Sequence, residues 1–148
     1  MPDTYNTLFI EIFIVLMFSA FFSGTEIAFV SSNKMRFEME REDGGITSRI
    51  IDIFYKHPSN FISTILVGNN IALVIYGILM AKLIEGLILQ TIVSTLIVLF
   101  TGEFLPKMLF RINPNRSLKR FALITYPIYI ILYPLSRFTT ICSTLLLR

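Results

Sequence analysis

Two glutamates lie inside apolar stretches that are long enough to cross a lipid bilayer. Glu26 lies in Phe-Ser-Gly-Thr-Glu-Ile-Ala-Phe, and Glu103 lies in Phe-Thr-Gly-Glu-Phe-Leu-Pro-Lys. A carboxylate at membrane depth costs about 2.5–3.5 kcal/mol on insertion scales, so it normally faces a bundle interior or a wet cavity. A third apolar stretch contains Gly68-Asn69-Asn70. Polar, glycine-containing breaks in three such stretches predict an ion site or a proton path inside the membrane.

The three breaks fall at nearly the same depth if each stretch is a helix that rises about 1.5 Å per residue. The shared layer lies slightly toward the cytoplasmic side of the bilayer centre. Its carboxylate, amide, hydroxyl and carbonyl oxygens are hard donors, which suit Mg²⁺, Ca²⁺ or Na⁺ rather than the soft metals that prefer Cys or His. The polar residues in this layer are Ser23, Glu26, Asn69, Asn70, Gly102 and Glu103.

Local geometry predicts which of these groups can act together. Residues three apart on a helix share a face, so Ser23 and Glu26 point the same way. Adjacent helical residues point about 100° apart, so only one of Asn69 and Asn70 is expected to reach a common ligand. A proline has no N–H and clashes with the carbonyl four residues back, so Pro106 would free the carbonyl of Gly102 for an ion.

Each polar group also has a purely structural interpretation. Glu26 could pair with Lys34 or Lys107 at the inner interface, and Glu103 with Lys107 could form an ordinary i, i+4 ion pair. Asn69 and Asn70 could hold helices together by hydrogen bonds. A coincidence of all three breaks in one layer is less expected from these structural roles than from a common site.

Composition and charge placement define the class and the topology. The chain has 148 residues, of which 54% are hydrophobic, above the roughly 45–50% apolar content of a soluble domain. No Lys or Arg precedes Leu8, and five basic residues lie between the first and second apolar stretches. Lys82 is the one basic residue between the second and third stretches, and several more basic residues lie at the end of the third. The positive-inside rule therefore predicts an outside N-terminus and a cytoplasmic C-terminus. This placement favours lipid headgroups over nucleic acid as the partner of the basic residues.

These signals predict an all-α integral membrane fold with three transmembrane helices. A cytoplasmic helical hairpin is expected between the first two spans, because charged and apolar positions alternate there. The last apolar stretch contains Pro127 and Pro134 with basic and tyrosine residues, which favours a juxtamembrane belt helix; a fourth span is the alternative. The predicted ranges are spans at about 8–31, 60–83 and 87–111, a hairpin at 32–57 and a belt at about 115–147.

The three motifs together resemble the transmembrane domain of the CNNM/CorC family. They are Phe-Ser-Gly-Thr-Glu-Ile-Ala at 22–28, Leu-Val-Gly-Asn-Asn at 66–70 and Gly-Glu-Phe-Leu-Pro-Lys at 102–107, and the resemblance covers nearly all of residues 1–148. It implies a homodimeric Mg²⁺ transporter of the inner (plasma) membrane, generally described as a Na⁺-coupled exporter, and not an enzyme. A CBS-domain pair that binds ATP usually follows such a domain.

The resemblance also implies roles for individual residues. Ser23, Asn69, Glu103 and the carbonyl of Gly102 would hold a mostly dehydrated Mg²⁺ that is cargo rather than a resident cofactor. Surrounding or coupling-ion roles, including one for Na⁺, fall to Glu26, Asn70, Thr25 and Gly68. Gly24, Pro106 and Lys107 belong to the structural breaks.

Two features depart from the family pattern. Leu73 stands where many relatives have a second asparagine, which puts the coupling-ion site in doubt. The sequence ends at Arg148 without a CBS pair, so ATP regulation is not assigned to these residues. Two other functions fit the same sequence: a membrane anchor and dimerisation scaffold for a cytoplasmic regulatory domain, or a carrier for another cation.

Overall fold

The structure is a computed structural model that describes residues 2–40 and 45–147, and all of the regular elements in these ranges are helices. The all-α prediction is thus confirmed for the described residues. In chain order the elements are α1 (Pro2–Ser31), α2 (Lys34–Glu40), α3 (Ile46–Lys56), α4 (Pro58–Leu83), α5 (Leu87–Ile97), a π-helical segment (Val98–Phe104), α6 (Leu105–Ile112) and α7 (Pro114–Leu147).

Within the described residues, four stretches of helix are long and apolar enough to cross a membrane: Tyr5–Ser31, Pro58–Leu83, Leu87–Ile112 and Pro114–Leu147. Large apolar side chains such as Phe13 remain well exposed along them. In water such a surface would be an aggregation liability, whereas in hydrocarbon it is the expected lipid contact, with every backbone group satisfied inside the helix. The chain is therefore embedded in a membrane.

Helix α1 is the centre of the bundle, and it packs against α4, α6, α7 and the π-helical segment. It runs antiparallel to α4. Near the start of α1, Leu8 and Ile12 belong to one buried cluster with Tyr76, Leu79 and Met80 from the last turns of α4. This cluster, called here the outer cluster, closes one end of the helix pair with apolar side chains.

A second cluster closes the other end and is mainly aromatic. The ring of Phe61 in α4 lies with its centroid 4.5 Å from Phe29 in α1 and 4.3 Å from Phe54 in α3. Tyr129 of α7 packs on Phe54 with ring centroids 5.5 Å apart. Four helices thus share one core at the end of the bundle that adjoins α2 and α3. The turn predicted between those two short helices falls on residues 41–44, which lie outside the described residues.

Helix α7 continues through both of its prolines, Pro127 and Pro134. The side chain of Asn115, near its start, exchanges two hydrogen bonds with the backbone of Asn33, at 2.9 and 3.0 Å. Farther along α7, Ser136 donates to the backbone oxygen of Asn60 at 2.9 Å, and Thr140 donates to the side-chain oxygen of Asn60 at 3.1 Å. Asn33 follows α1 and Asn60 begins α4, so both anchors of α7 lie on the end of the bundle that carries α2 and α3.

Candidate ion site between three apolar helices

Three helices meet at a small polar centre around Ser19. The Ser19 hydroxyl donates to the Oδ1 atom of Asn69 at 2.9 Å, and both side chains are buried. Gly102 lies against the same hydroxyl, because a Cβ placed on this glycine would be 3.2 Å from the Ser19 Oγ. The structure therefore brings together two residues that the sequence motifs singled out, Asn69 and Gly102. Their contact runs through Ser19, which the sequence motifs did not include.

Ser23 adds an oxygen without a protein partner. It lies one turn beyond Ser19 on the same face of α1, it is 1% exposed, and its Oγ makes no hydrogen bond in the described structure. Several described helical threonines donate to the carbonyl four residues back, as Thr91, Thr101 and Thr125 do. A buried polar group without a partner is costly, so the unpaired Ser23 hydroxyl is consistent with a ligand at this position.

Glu103 lies on a different side of its helix from the polar centre. Its half-buried side chain lines an open groove of about 610 Å³ whose described lining comes from one stretch of helix, including Leu99, Lys107 and Arg111. It makes no hydrogen bond or ion pair with any described residue. The ordinary ion pair with Lys107 is thus absent from the described structure, and the carboxylate stands in a groove with two basic neighbours.

The remaining polar residues of the first two motifs are separated by helix geometry. Glu26 is half-buried on the face of α1 that carries Ser23, and it too makes no hydrogen bond or ion pair with a described residue. Thr25 is buried with an unpaired hydroxyl, but residues two apart on a helix do not face each other. Asn70 is exposed while Asn69 is buried. Of the two amides, only Asn69 lies in the polar centre.

The helix is not broken at the third motif; the first residues of the motif, 102–104, belong to a π-helical segment. Residues Val98–Phe104 are wound as a π-helix, and the α-helix resumes at Leu105, immediately before the buried Pro106. At the junction, the Leu105 N–H donates to the carbonyl of Phe100, five residues back. Single π-turns of this kind occur often at functional sites. Here the π-helical segment carries both Gly102 and Glu103.

Two motif glycines are contact points for aromatic rings. A Cβ on Gly24 would lie 2.7 Å from the ring of Phe110 in α6, and a Cβ on Gly68 would lie 2.6 Å from the ring of Phe22 in α1. Both distances are far below a van der Waals contact. The helices can approach this closely only because glycine has no side chain. The two glycines therefore set the helix spacing around the polar centre.

Sequence reasoning missed Ser19, although one signal was available. Ser19 and Ser23 are four residues apart, which places both hydroxyls on one face of an α-helix. Within the described residues there is no group of three or more His, Cys, Asp or Glu side chains that could hold a metal. The donors around Ser19 are instead hydroxyl, amide and backbone oxygens. Such a set can replace part of the water shell of a hard cation.

A bundle of apolar helices around buried oxygen donors defines an integral membrane protein with a polar centre in its membrane-spanning part. The family model described as the Cyclin M transmembrane N-terminal domain matches residues 9–148, so the chain belongs to the CNNM family.

Similar proteins occur in several bacteria. The UPF0053 protein MG146 of Mycoplasma genitalium is 29% identical over 93% of this chain and 35% of its own length. The MG146 homolog of Mycoplasma pneumoniae is 30% identical over 90% of this chain and 34% of its own length. The UPF0053 inner membrane protein YfjD of Escherichia coli is 26% identical over 88% of this chain and 32% of its own length. The chain thus spans about a third of these curated relatives.

Proposed function

We propose that this chain is the membrane domain of a magnesium transporter that moves Mg²⁺ through the polar centre by alternating access. The observation that carries the proposal is the contact of Ser19, Asn69 and Gly102 beside the unpaired hydroxyl of Ser23. Mg²⁺ gives up its water reluctantly. A cage of closely placed protein oxygens at this point is therefore the step that selects the ion.

The two glutamates have different proposed roles. Glu103 follows Gly102 on the π-helical segment, so a rotation of that segment by about 100° would carry the carboxylate from the groove to the ion. Glu26 lies on the same face of α1 as Ser23 and adds negative charge on the path toward the α2–α3 end of the bundle. The proposed mode of transport is efflux of Mg²⁺ coupled to Na⁺. The alternative is that the same site carries another cation.

We propose a topology of three spans, α1, α4 and the α5–α6 helix, with α7 as a belt. A helix from Asn115 to Thr140 is long enough to span a bilayer at about 1.5 Å per residue. Both of its anchors, however, are residues at one end of the bundle, Asn33 and Asn60. The basic residues near that end favour the cytoplasmic side, with the N-terminus outside and the cell inner membrane as the location.

A homodimer through the membrane helices is the proposed assembly, and a face of α4 supports it. Asn70 is exposed in the middle of this helix, and Val74, one turn farther, is 64% exposed. An amide facing lipid is unfavourable, whereas an amide between two helices acts as a hydrogen-bonding contact. A second copy of the chain would cover this face. CBS domains that follow the membrane domain are proposed as its cytoplasmic partners.

A Mg²⁺ titration of the purified protein tests the ion site. A ligand that binds only the folded state raises stability by about 2.7 kcal/mol at one hundred times its dissociation constant, so the unfolding temperature should rise with Mg²⁺ and less with Ca²⁺. Ser23→Ala should weaken Mg²⁺ binding about tenfold, because a hydrogen-bonding partner of a charged group contributes about 1.5–3 kcal/mol. Thr139→Val, which removes an exposed hydroxyl of α7, is the control and should leave binding unchanged.

The same titration separates the proposed function from its alternatives. A membrane anchor and dimerisation scaffold would show no stabilisation by Mg²⁺ at any concentration. A carrier for another cation would be stabilised by that ion instead. Stabilisation by Mg²⁺ that persisted unchanged in Ser23→Ala would move the site away from the polar centre.

Cysteine cross-linking tests the dimer face. In a Cys142→Ser background, which removes the single native cysteine, Val74→Cys should form covalent dimers in oxidised membranes. Ile10→Cys is the matched control, since Ile10 on α1 is 60% exposed compared with 64% for Val74. Equal cross-linking at both positions would reflect random collision and would argue against an interface on α4.

A further inference from the structure

A second buried polar pair lies between α4 and α5, apart from the proposed ion site. The Tyr76 hydroxyl donates to the backbone oxygen of Ser94 at 2.8 Å, and both side chains are buried, at 3% and 7% exposure. Tyr76 follows Asn69 by seven residues on α4, and Ser94 precedes Gly102 by eight. At about 1.5 Å per residue the pair lies roughly 10–12 Å from the polar centre, toward the ends of α4 and α5 that meet at the 84–86 turn.

The hydroxyl of Ser94 has no hydrogen-bond partner in the described structure. Its helix neighbours Thr91 and Thr101 both donate to the carbonyl four residues back, at 2.7 Å. A serine that served only as a small residue for helix packing could satisfy its hydroxyl in the same way. Leaving a buried hydroxyl unpaired costs about 1–3 kcal/mol, so the Ser94 Oγ is an oxygen that a ligand can use.

Val98 separates this pair from the polar centre. It lies one turn from Ser94 and one turn from Gly102, and its Cγ2 atom is 3.1 Å from the position that a Cβ on Gly102 would take. Val98 also packs against the outer cluster, which includes Tyr76. A movement of this side chain would therefore open the apolar packing between the two oxygen groups.

We propose that Tyr76 and Ser94 form a second oxygen station for a hydrated divalent cation, and that Val98 is the gate between it and the polar centre. The inference rests on the proposed function, because the station would carry the same ion between the centre and the outer surface. The phenol oxygen of Tyr76 and the unpaired hydroxyl of Ser94 offer hydrogen-bonding partners to the waters of a hydrated ion, whereas the carbonyl of Ser94 already accepts from the Tyr76 hydroxyl and from the Val98 N–H. The π-helical segment begins at Val98, so a change in its winding would move the gate.

Labelling with a membrane-impermeant, water-dependent thiol reagent tests whether water reaches the station. Ser94→Cys in a Cys142→Ser background should react from the outer side during Mg²⁺ turnover. Leu96→Cys is the matched control, because Leu96 is 63% exposed on the same helix and would face lipid. We expect Ser94→Cys to react about tenfold faster, a factor that corresponds to about 1.4 kcal/mol. Equal rates at the two positions would overturn the proposal.

Transport by purified protein in liposomes tests the gate separately from the ion site. Val98→Ser should allow Mg²⁺ to leak down its gradient, and Ser94→Ala should lower the transport rate about tenfold, while Leu96→Ala, on the exposed side of the same helix, should change neither. If the unaltered chain is not stabilised by Mg²⁺, the proposed function fails. If it is stabilised and transports, but both variants transport normally, the outer station and its gate alone are wrong.

Discussion

Replacing Asn69 with alanine should weaken Mg²⁺ binding by about 10- to 100-fold, the largest loss expected for a single side chain of this protein. The amide oxygen accepts the hydroxyl of Ser19 at 2.9 Å and is buried among apolar helices. A partner of a charged group contributes about 1.5–3 kcal/mol, which corresponds to this range. The measurement is the shift in unfolding temperature with Mg²⁺ concentration, followed by transport of Mg²⁺ in cells or liposomes.

Asn70→Ala is the control for this experiment. It removes the same chemical group from the next position, where the side chain is exposed and points away from the polar centre. We expect Asn70→Ala to retain Mg²⁺ binding. If Asn69→Ala bound Mg²⁺ as tightly as the unaltered protein, the polar centre would not be the ion site. Equal losses in both variants would indicate a general effect on folding instead.

Replacing Gly68 with alanine should destabilise the protein by about 1–3 kcal/mol, the usual cost of forcing an extra methyl into a packed core. The added Cβ would lie 2.6 Å from the ring of Phe22, which is itself buried. The ring stacks on Phe18 and meets Phe21 edge to face, so it cannot move without disturbing its neighbours. The measurement is the midpoint of thermal unfolding in detergent without Mg²⁺.

Gly77→Ala is the matched control, since it makes the same change on the same helix with no atom of the single chain within 4 Å of the new methyl. Gly77 shares the α4 face of Val74, so both variants are compared as monomers in detergent. Alanine favours a helix by about 0.8–1.0 kcal/mol over glycine, so this variant should be neutral or more stable. A second substitution, Phe22→Leu, should recover part of the stability of Gly68→Ala, because it removes the ring in question. Similar stability of Gly68→Ala and Gly77→Ala would contradict the contact with Phe22.

Much of the fold could be predicted from residue types alone. Apolar stretches of about 20 residues specify membrane helices, and polar residues inside them are unfavourable unless they meet each other or a ligand. The sequence therefore indicated the all-helical membrane class, the apolar helices and the three motifs that meet near one depth. The motif spacing also led to the CNNM family, to which the match over residues 9–148 assigns the chain.

The direction of each side chain could not be predicted, because it depends on how the helices rotate against one another. Residues 98–104 are wound as a π-helix, so every later side chain on that helix points in a different direction from the one it would have in a regular α-helix. Gly102 lies at the polar centre, while Glu103, the next residue on the helix, lines a groove with Lys107. No local signal in the third motif specified this difference.

Residue types and the lengths of the apolar stretches were enough to predict that polar residues of this protein would lie within membrane helices, where a carboxylate or an amide is unfavourable without a partner. Which of these residues meet depends on how the helices pack. The tertiary structure joined Asn69 and Gly102 through Ser19, exposed Asn70, and left Ser23 and Ser94 buried with unpaired hydroxyls. The physical reason is packing: Phe22 against Gly68 and Phe110 against Gly24 fix how closely the helices approach and therefore which faces they present to each other.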